Sequence, residues 1–167
     1  MEITMKAIIV YFSLEGNVKF VAEKIKKQLN ADMLCLTPKK EYPTGKVSKF
    51  FWGGKSVIFN EKPKLESYQF NKEDYDVIVI GTPVWASSYT PPIKTFLSEN
   101  DLSGKSVAFF ACQSGNDASK CFEKLKNELK NCQVAATLAL VNPAKKKTNE
   151  DQLQIDTFCY NILNHIK

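Results

Sequence analysis

Five short runs of apolar, largely β-branched residues alternate along the chain with longer stretches in which apolar residues recur every three or four positions. The short runs have the length and composition of β-strands and occupy residues 7–12, 33–36, 77–80, 107–112 and 134–141. Three of them (7–12, 77–80 and 107–112) are apolar at successive positions. This pattern is typical of strands in a parallel sheet that helices cover on both faces.

Four of the longer stretches have the period of amphipathic helices. Their apolar positions are Val18, Val21, Ala22, Ile25 and Leu29, then Ile93, Phe96 and Leu97, then Ala118, Phe122, Leu125 and Leu129, and finally Ile155, Phe158, Cys159, Ile162, Leu163 and Ile166. Pro91-Pro92 suits the first turn of the second helix, and residues 148–151 are predicted to cap the last one. Five strands alternating with helices predict a doubly wound α/β fold, with residues 1–167 forming one domain.

Residues 37–70 interrupt this alternation. The segment is rich in aromatic residues and contains Gly53-Gly54. We predict a short helix near residues 47–59 that packs over one end of the sheet.

The charge of the chain disfavours several function classes. All 23 basic residues are lysines, and with 18 acidic residues the formal net charge is +5. Without arginine, bidentate guanidinium contacts to phosphate or guanine cannot form. The lysines are dispersed except at 145–147, so solvated helix faces are favoured over nucleic-acid binding.

No apolar run approaches the roughly 20 residues that span a bilayer, and the first residues lack the features of a signal peptide. We therefore expect a cytoplasmic protein that binds neither nucleic acid nor membrane, and we predict a monomer without deriving it from these features.

Cysteine and histidine usage argues against metal and histidine chemistry. Five cysteines occur without a Cys-x-x-Cys pair, and this odd count at irregular spacing favours reduced thiols. The one histidine, His165, lies two residues from the last position. We predict neither a metal site nor a catalytic side chain.

Polar turns follow three of the predicted strands, at the edge where doubly wound sheets bind ligands. The first loop, residues 13–18 (SLEGNV), leads into a helix whose unpaired amides favour an anion, and Ser13 and Asn17 add side-chain donors. The second loop, residues 81–92 (GTPVWASSYTPP), carries Trp85, which either packs beneath a neighbouring loop or stacks on a flat ligand. The third loop, residues 112–117 (CQSGND), offers amides to a planar polar edge. Together the loops indicate a nucleotide-like ligand with one phosphate and a flat ring.

These stretches resemble the flavodoxin family over nearly the whole chain. YFSLEGNVKFVAEKI is similar to the family's phosphate loop and first helix, IGTPVWASSYTPPIKTFL to its second flavin loop, and FFACQSGND to its third. WGGK at 52–55 resembles a connecting segment of a flavodoxin-like subgroup, and the short link to an uninterrupted fifth strand resembles the short-chain form. The resemblance implies a five-stranded sheet of order 2-1-3-4-5 with helices on both faces.

The resemblance also implies FMN as the cofactor, with its phosphate on residues 13–18 and its isoalloxazine between residues 83–89 and 112–117. The implied contacts are Ser13, Leu14, Glu15, Gly16, Asn17, Val18, Thr82, Pro83, Val84, Trp85, Ala86, Ser87, Tyr89, Cys112, Gln113, Ser114, Gly115 and Asn116.

This chain departs from the family pattern in the first loop. Glu15 and Val18 replace residues that usually carry hydroxyl groups, so FMN should bind more weakly than in a full-hydroxyl loop, with the Glu15 side chain turned outward. The loop also contains no Lys or Arg, which predicts an unneutralised phosphate and a low reduction potential.

Two further departures concern the flavin ring. The third loop has no aromatic residue, which leaves Trp85 as the main platform and Tyr89, Phe51 or Trp52 as the other wall. No glycine occurs between residues 83 and 92, where flavodoxins place one near the flavin N5. Ala86 or Ser87 is expected to offer its N–H to that atom instead.

Three functions follow from these observations. The first is an FMN-bound electron carrier in cytoplasmic redox metabolism that exchanges electrons with a partner reductase and an acceptor protein. The second is an FMN-dependent NAD(P)H:quinone-type oxidoreductase, which the missing glycine and the basic surface favour, since the lysines could attract the phosphates of a nicotinamide cofactor. The third is a flavin-free interaction module. A phosphoacceptor response regulator is excluded, because it needs acidic residues where this chain has Phe12-Ser13 and Gly81-Thr82.

Overall fold

A parallel five-stranded sheet organises the computed structural model, which describes residues 4–43, 60–115 and 117–167. Its strands run in the order β2-β1-β3-β4-β5. They are β1 (Ala7–Tyr11), β2 (Asp32–Cys35), β3 (Val77–Pro83), β4 (Ser106–Gln113) and β5 (Gln133–Val141). The predicted strand order is confirmed.

The helices agree with the predicted periodic stretches. They are α1 (Asn17–Leu29), α2 (Pro91–Glu99), α3 (Ser119–Glu128), α4 (Pro143–Lys146) and α5 (Asn149–Ile166), with one 3₁₀ turn at Lys72–Asp74. The predicted cap of the last helix is present, because Asp151 N donates to Thr148 Oγ1 at 3.0 Å. The short helix α4 was not predicted. The helix expected near residues 47–59 lies outside the described residues.

Helices cover both faces of the sheet, as predicted. On one face, α1 and α5 bury Ile25 and Phe158 against strand residues such as Val79. On the other face, α2 and α3 bury Phe96 and Leu125 against the alternate strand positions. Every residue of β1 is buried, which explains why the central strands are apolar at successive positions. In the described part of the chain, no helix is long and apolar enough to cross a membrane.

Gly81, at the end of the pairing between β1 and β3, leaves room for a ring of the neighbouring strand. A side-chain carbon at this position would overlap the ring of Phe110 on β4. Phe12 N also donates to the Gly81 carbonyl at 3.2 Å, which extends the pairing of β1 and β3 beyond the end of β1. The first and second loops therefore leave the sheet side by side.

Candidate functional site

A cavity of about 250 Å³ opens at the carboxyl edge of the sheet. The first, second and third loops all contribute to it, together with one residue that follows β5. Its lining residues are Ser13, Leu14, Glu15, Asn17, Val18, Pro83, Val84, Trp85, Ala86, Cys112, Gln113, Ser114 and Asn142.

The first loop leaves helix amides available to an anion. Gly16 adopts φ 93°, a left-handed conformation that turns the chain into α1. Ser13 Oγ accepts a hydrogen bond from Lys19 N at 3.2 Å, so the hydroxyl hydrogen is left to donate. Among the described residues, none accepts a hydrogen bond from the amides of Asn17 and Val18. These donors suit a phosphate at the start of a helix.

The side chain of Asn17 is oriented by a distant part of the chain. Asn17 Oδ1 accepts a hydrogen bond from Ala144 N in α4 at 3.1 Å. Because a backbone N–H requires an acceptor, the oxygen end faces α4 and the Nδ2 group is left to donate. Val18, by contrast, packs in the core beneath the loop, which explains an apolar residue here. Glu15 is exposed and also lines the cavity, so its exposure does not by itself mean that the side chain is turned outward.

The second loop is closed at its base by a buried threonine. Thr82 Oγ1 accepts a hydrogen bond from Thr90 N at 3.1 Å and lies 2.8 Å from the Pro83 carbonyl, to which it donates. Val84 N donates to the Cys112 carbonyl at 3.0 Å and ties the loop to β4. Thr82 does not line the cavity. Its role is to fasten the loop, which differs from the predicted cofactor contact.

The tip of the second loop is a tight turn at residues 85–88. Trp85 and Ser88 exchange two backbone hydrogen bonds of 2.9 Å. The two central residues, Ala86 and Ser87, have φ of 47° and 57°, which defines a type I′ turn without its usual Asn-Gly pair. A left-handed conformation costs a non-glycine residue roughly 1–2 kcal/mol. Ala86 lines the cavity, and Ser87 does not.

The third loop presents a buried thiol to the cavity. Cys112 is 4% exposed, and burial, followed by the charge of Asp151, raises the pKa of its thiol well above the usual range. The group is therefore a neutral thiol at ordinary pH. Gly115 does not line the cavity, and Asn116 lies outside the described residues.

The comparisons with known proteins decide the family. The family model described as flavodoxin matches residues 6–154. The chain belongs to the flavodoxin family.

Solved structures agree in fold. A flavoprotein from Lactobacillus acidophilus NCFM in complex with FMN is 20% identical, with a TM-score of 0.74 over 92% of this chain and 98% of that one. A flavodoxin from the domain Archaea is 17% identical, with a TM-score of 0.63 and coverage of 97% and 99%. Two-electron reduced Megasphaera elsdenii flavodoxin is 18% identical, with a TM-score of 0.59 and coverage of 92% and 98%. The search of the curated proteins found no match to the chain.

In this member of the flavodoxin family, the Trp85 side chain is part of the hydrophobic core and also lines the cavity. It is only 9% exposed and makes edge-on contacts with Phe12 and Tyr42, at centroid distances of 5.7 and 5.0 Å. Tyr42 belongs to the segment after β2, so the indole does pack beneath a neighbouring segment. Because Trp85 also lines the cavity, it remains available to a flat ligand.

The aromatic residues expected to form a second wall are placed differently. Tyr89 is buried away from the cavity, and its hydroxyl donates to Glu128 on α3 at 2.9 Å. Burial, followed by this hydrogen bond, raises the pKa of Tyr89. The expectation that Tyr89 supplies a wall does not fit this position. Phe51 and Trp52 lie outside the described residues.

Gly16, which lies at the start of α1, also does not line the cavity; its contribution is the left-handed turn. Asn142 was missed by the sequence analysis, although it follows the fifth strand at the same edge of the sheet.

The cysteines are all free, as expected. Within residues 4–43, 60–115 and 117–167, no group of His, Cys, Asp and Glu is arranged to hold a metal ion.

Proposed function

We propose that this chain binds FMN in the cavity and transfers electrons between a partner reductase and an acceptor protein in cytoplasmic redox metabolism. One observation carries the proposal. A single cavity combines hydrogen-bond donors from the start of α1 and Asn17 with the indole of Trp85 and the apolar side chains of Leu14 and Val84. A molecule with one phosphate and a flat, largely apolar ring matches this lining.

The hydrogen-bond donors of the first loop fit the phosphate of FMN. The donors at the first loop are uncharged amides and a hydroxyl, which suit a phosphate oxygen. Cys112 is a neutral thiol and adds no charge beside the ring. Bound FMN would supply the redox chemistry, whereas the protein would position it and limit access of water. The complex of the Lactobacillus acidophilus flavoprotein with FMN supports the same cofactor here.

The test is reconstitution of the purified apoprotein with FMN, followed by quenching of FMN fluorescence and by co-elution of yellow colour in gel filtration. We expect stoichiometric binding and weaker binding of riboflavin, which lacks the phosphate. Asn17→Ala should weaken FMN binding about tenfold or more, because a hydrogen bond to a charged group contributes about 1.5–3 kcal/mol. Asn164→Ala, an exposed site on α5, is the matched control. An apoprotein that binds neither flavin would contradict the proposal.

A second candidate function is an FMN-dependent NAD(P)H:quinone-type oxidoreductase. The net charge of +5 favours it, because a basic surface attracts the phosphates of a nicotinamide cofactor. Anaerobic mixing of the holoprotein with NADPH distinguishes the two candidates. Rapid bleaching of the flavin by NADPH alone supports the oxidoreductase, whereas bleaching that requires a separate reductase supports the carrier.

The cytoplasmic setting rests on the thiols. All five cysteines are free, and three of them (Cys112, Cys121 and Cys159) are buried. Reduced thiols without a disulfide framework are usual in a reducing compartment.

A further inference from the structure

The connection from β5 to α5, residues 142–147, lies against the cavity and is called the fourth segment below. Asn142 lines the cavity. Its backbone N–H donates to the Gln113 carbonyl at 3.0 Å, which ties the segment to the third loop. Its own carbonyl accepts hydrogen bonds from Lys145 N and Lys146 N, both at 3.1 Å, so that α4 folds back directly beyond it.

The fourth segment is also tied to the first loop. Ala144 N donates to Asn17 Oδ1 at 3.1 Å, and Asn17 is the first residue of α1. The segment therefore links the first loop to the third loop through two hydrogen bonds. It also determines which end of the Asn17 carboxamide is left for a ligand.

This bridge brings a run of three consecutive lysines close to the start of α1. Lys145, Lys146 and Lys147 follow Ala144 directly and are exposed. Lys147 Nζ lies 5.9 Å from the ring of Phe20, in the first turn of α1. The sequence alone does not reveal that residues 142–147 lie near the start of α1, because more than 120 residues separate the two segments along the chain.

Negatively charged side chains in and near the cavity would oppose the binding of a phosphate. Glu15 lines the cavity, and Glu150 and Asp151 occupy the first turn of α5. The Asp151 charge is close enough to raise the pKa of Cys112, another lining residue. A phosphate dianion at the first loop would meet these negative charges, and the three lysines offset them.

We propose that the fourth segment is a further binding segment for the phosphate end of the ligand. Asn142 contacts the ligand, Ala144 orients Asn17, and Lys145–Lys147 neutralise a phosphomonoester from outside the first loop. The inference rests on the proposed binding of FMN. It replaces the expectation of an unneutralised phosphate, which considered only residues 13–18.

The experiment compares two triple variants that remove the same charge. One replaces Lys145, Lys146 and Lys147 with Gln. The control replaces Lys26, Lys27 and Lys130, which are exposed at the opposite edge of the sheet. We expect the first variant to bind FMN roughly tenfold more weakly than the wild type at about 10 mM salt and less than threefold more weakly at about 0.5 M, because salt screens exposed charges. The control should change FMN affinity by less than about twofold, and riboflavin should bind all three proteins alike.

A fourth protein tests the contact of Asn142. Because its φ is 46°, Asn142→Gly removes the side chain but permits the backbone conformation. Weaker flavin binding by this variant, with thermal unfolding unchanged, supports the contact, and unchanged affinity refutes it.

The outcomes separate the inference from the proposed function. A wild-type protein that binds neither FMN nor riboflavin overturns the proposed function and the inference with it. Tight FMN binding by the wild type, together with equal affinity and equal salt dependence in the Lys145–Lys147 variant, overturns the inference alone. Equal weakening by both triple variants would overturn it as well, because net charge would then explain the effect.

Discussion

Asn17 accepts a hydrogen bond from Ala144 N through Oδ1 and lines the cavity, so its Nδ2 group is the part of the side chain available to an anion. One end of the carboxamide thus belongs to the fold and the other to the site. A substitution that keeps the first end and changes the second should separate stability from binding.

Asn17→Asp is that substitution. The carboxylate retains an oxygen for Ala144 N, replaces the Nδ2 donor with a negative oxygen, and stands in the first turn of α1. FMN affinity should fall at least about tenfold, since a hydrogen bond to a charged group contributes about 1.5–3 kcal/mol. The free energy of unfolding of the apoprotein should stay the same or rise by about 0.3–1 kcal/mol, because a helix start favours negative charge. Fluorescence titration and urea unfolding measure the two effects. A parallel loss of affinity and stability would assign Asn17 a structural role only.

Tyr89 was expected to contact the ligand, but in the folded protein it does not line the cavity. Its ring is buried, and its hydroxyl donates to Glu128. Tyr89→Phe should leave FMN affinity unchanged, since Tyr89 does not line the cavity, and should lower the free energy of unfolding by about 0.5–1.5 kcal/mol below pH 10.

The pH dependence of this variant follows from the raised pKa of Tyr89, which burial and the Glu128 bond cause. The unfolded chain releases the phenol proton near pH 10, whereas the folded chain retains it. Stability contributed by Tyr89 is therefore complete below pH 10 and is lost above it, by about 1.4 kcal/mol per pH unit. The difference between wild type and Tyr89→Phe should shrink between pH 9 and 11 in urea unfolding. Tyr160→Phe, at a site 64% exposed, is the control and should show no such change. A constant difference for Tyr89→Phe would contradict the argument.

The turn at residues 85–88 places two non-glycine residues in the left-handed region next to the cavity. Its double hydrogen bond and the contacts of Trp85 with Phe12 and Tyr42 hold it in this conformation. Such local strain is often found beside ligand sites, where the rest of the fold maintains it.

Ser87→Gly should relieve part of this strain. The variant is expected to raise the free energy of unfolding by about 0.5–1 kcal/mol, after allowance for the greater freedom of glycine in the unfolded chain. Ser87 is exposed and does not line the cavity, so the lining stays intact. Ser98→Gly in α2 is the matched control and should lower stability by about 0.5 kcal/mol, because glycine is a poor helix former. Urea unfolding gives both values, and a destabilising Ser87→Gly would show that the turn carries little strain.

The sequence predicts the long elements well because their hydrophobic periods are strong. β3 continues to Pro83, beyond the predicted end at Ile80, since Gly81, Thr82 and Pro83 pair with β4 although glycine and proline are uncommon in strands. The helix α4 has four residues and a lysine-rich sequence, so no period reveals it. The sequence pattern predicts an element whose own residues have a clear hydrophobic period. It does not predict an element that forms because of contacts with other segments.

The site follows the same rule. The sequence predicts the three loops because each directly follows a strand at the carboxyl edge. It does not reveal that Thr82 accepts a hydrogen bond from Thr90 or that Tyr89 donates one to Glu128. It also does not reveal that Ala144 orients Asn17. Those roles depend on contacts between segments that are apart in the chain.

For the molecule as a whole, the distribution of charge bears on the partner that the proposed electron-carrier function requires. The net charge is +5, and Lys145–Lys147 add positive charge beside the cavity, where electrons would enter and leave. Complementary charge mainly changes the rate of encounter and the choice of partner. We therefore expect acidic partner surfaces.

Small redox ions of opposite charge test this expectation without an identified partner. The reduced holoprotein should be oxidised by ferricyanide several-fold more slowly at about 0.5 M than at about 10 mM salt, and by hexaamminecobalt(III) more rapidly, because salt screens attraction and repulsion alike. Both triple lysine variants lower the formal net charge of the polypeptide from +5 by three, to +2, and bound FMN adds the same negative charge to each protein. If the local field governs encounter, the Lys145–Lys147 variant should lose most of the ferricyanide salt dependence while the Lys26/Lys27/Lys130 variant keeps most of it. Stopped-flow rates at a series of salt concentrations give the slopes. Equal slopes in the two variants would assign encounter to net charge, and a reversed order of the two oxidants would mean that the carboxylates dominate the field at the flavin.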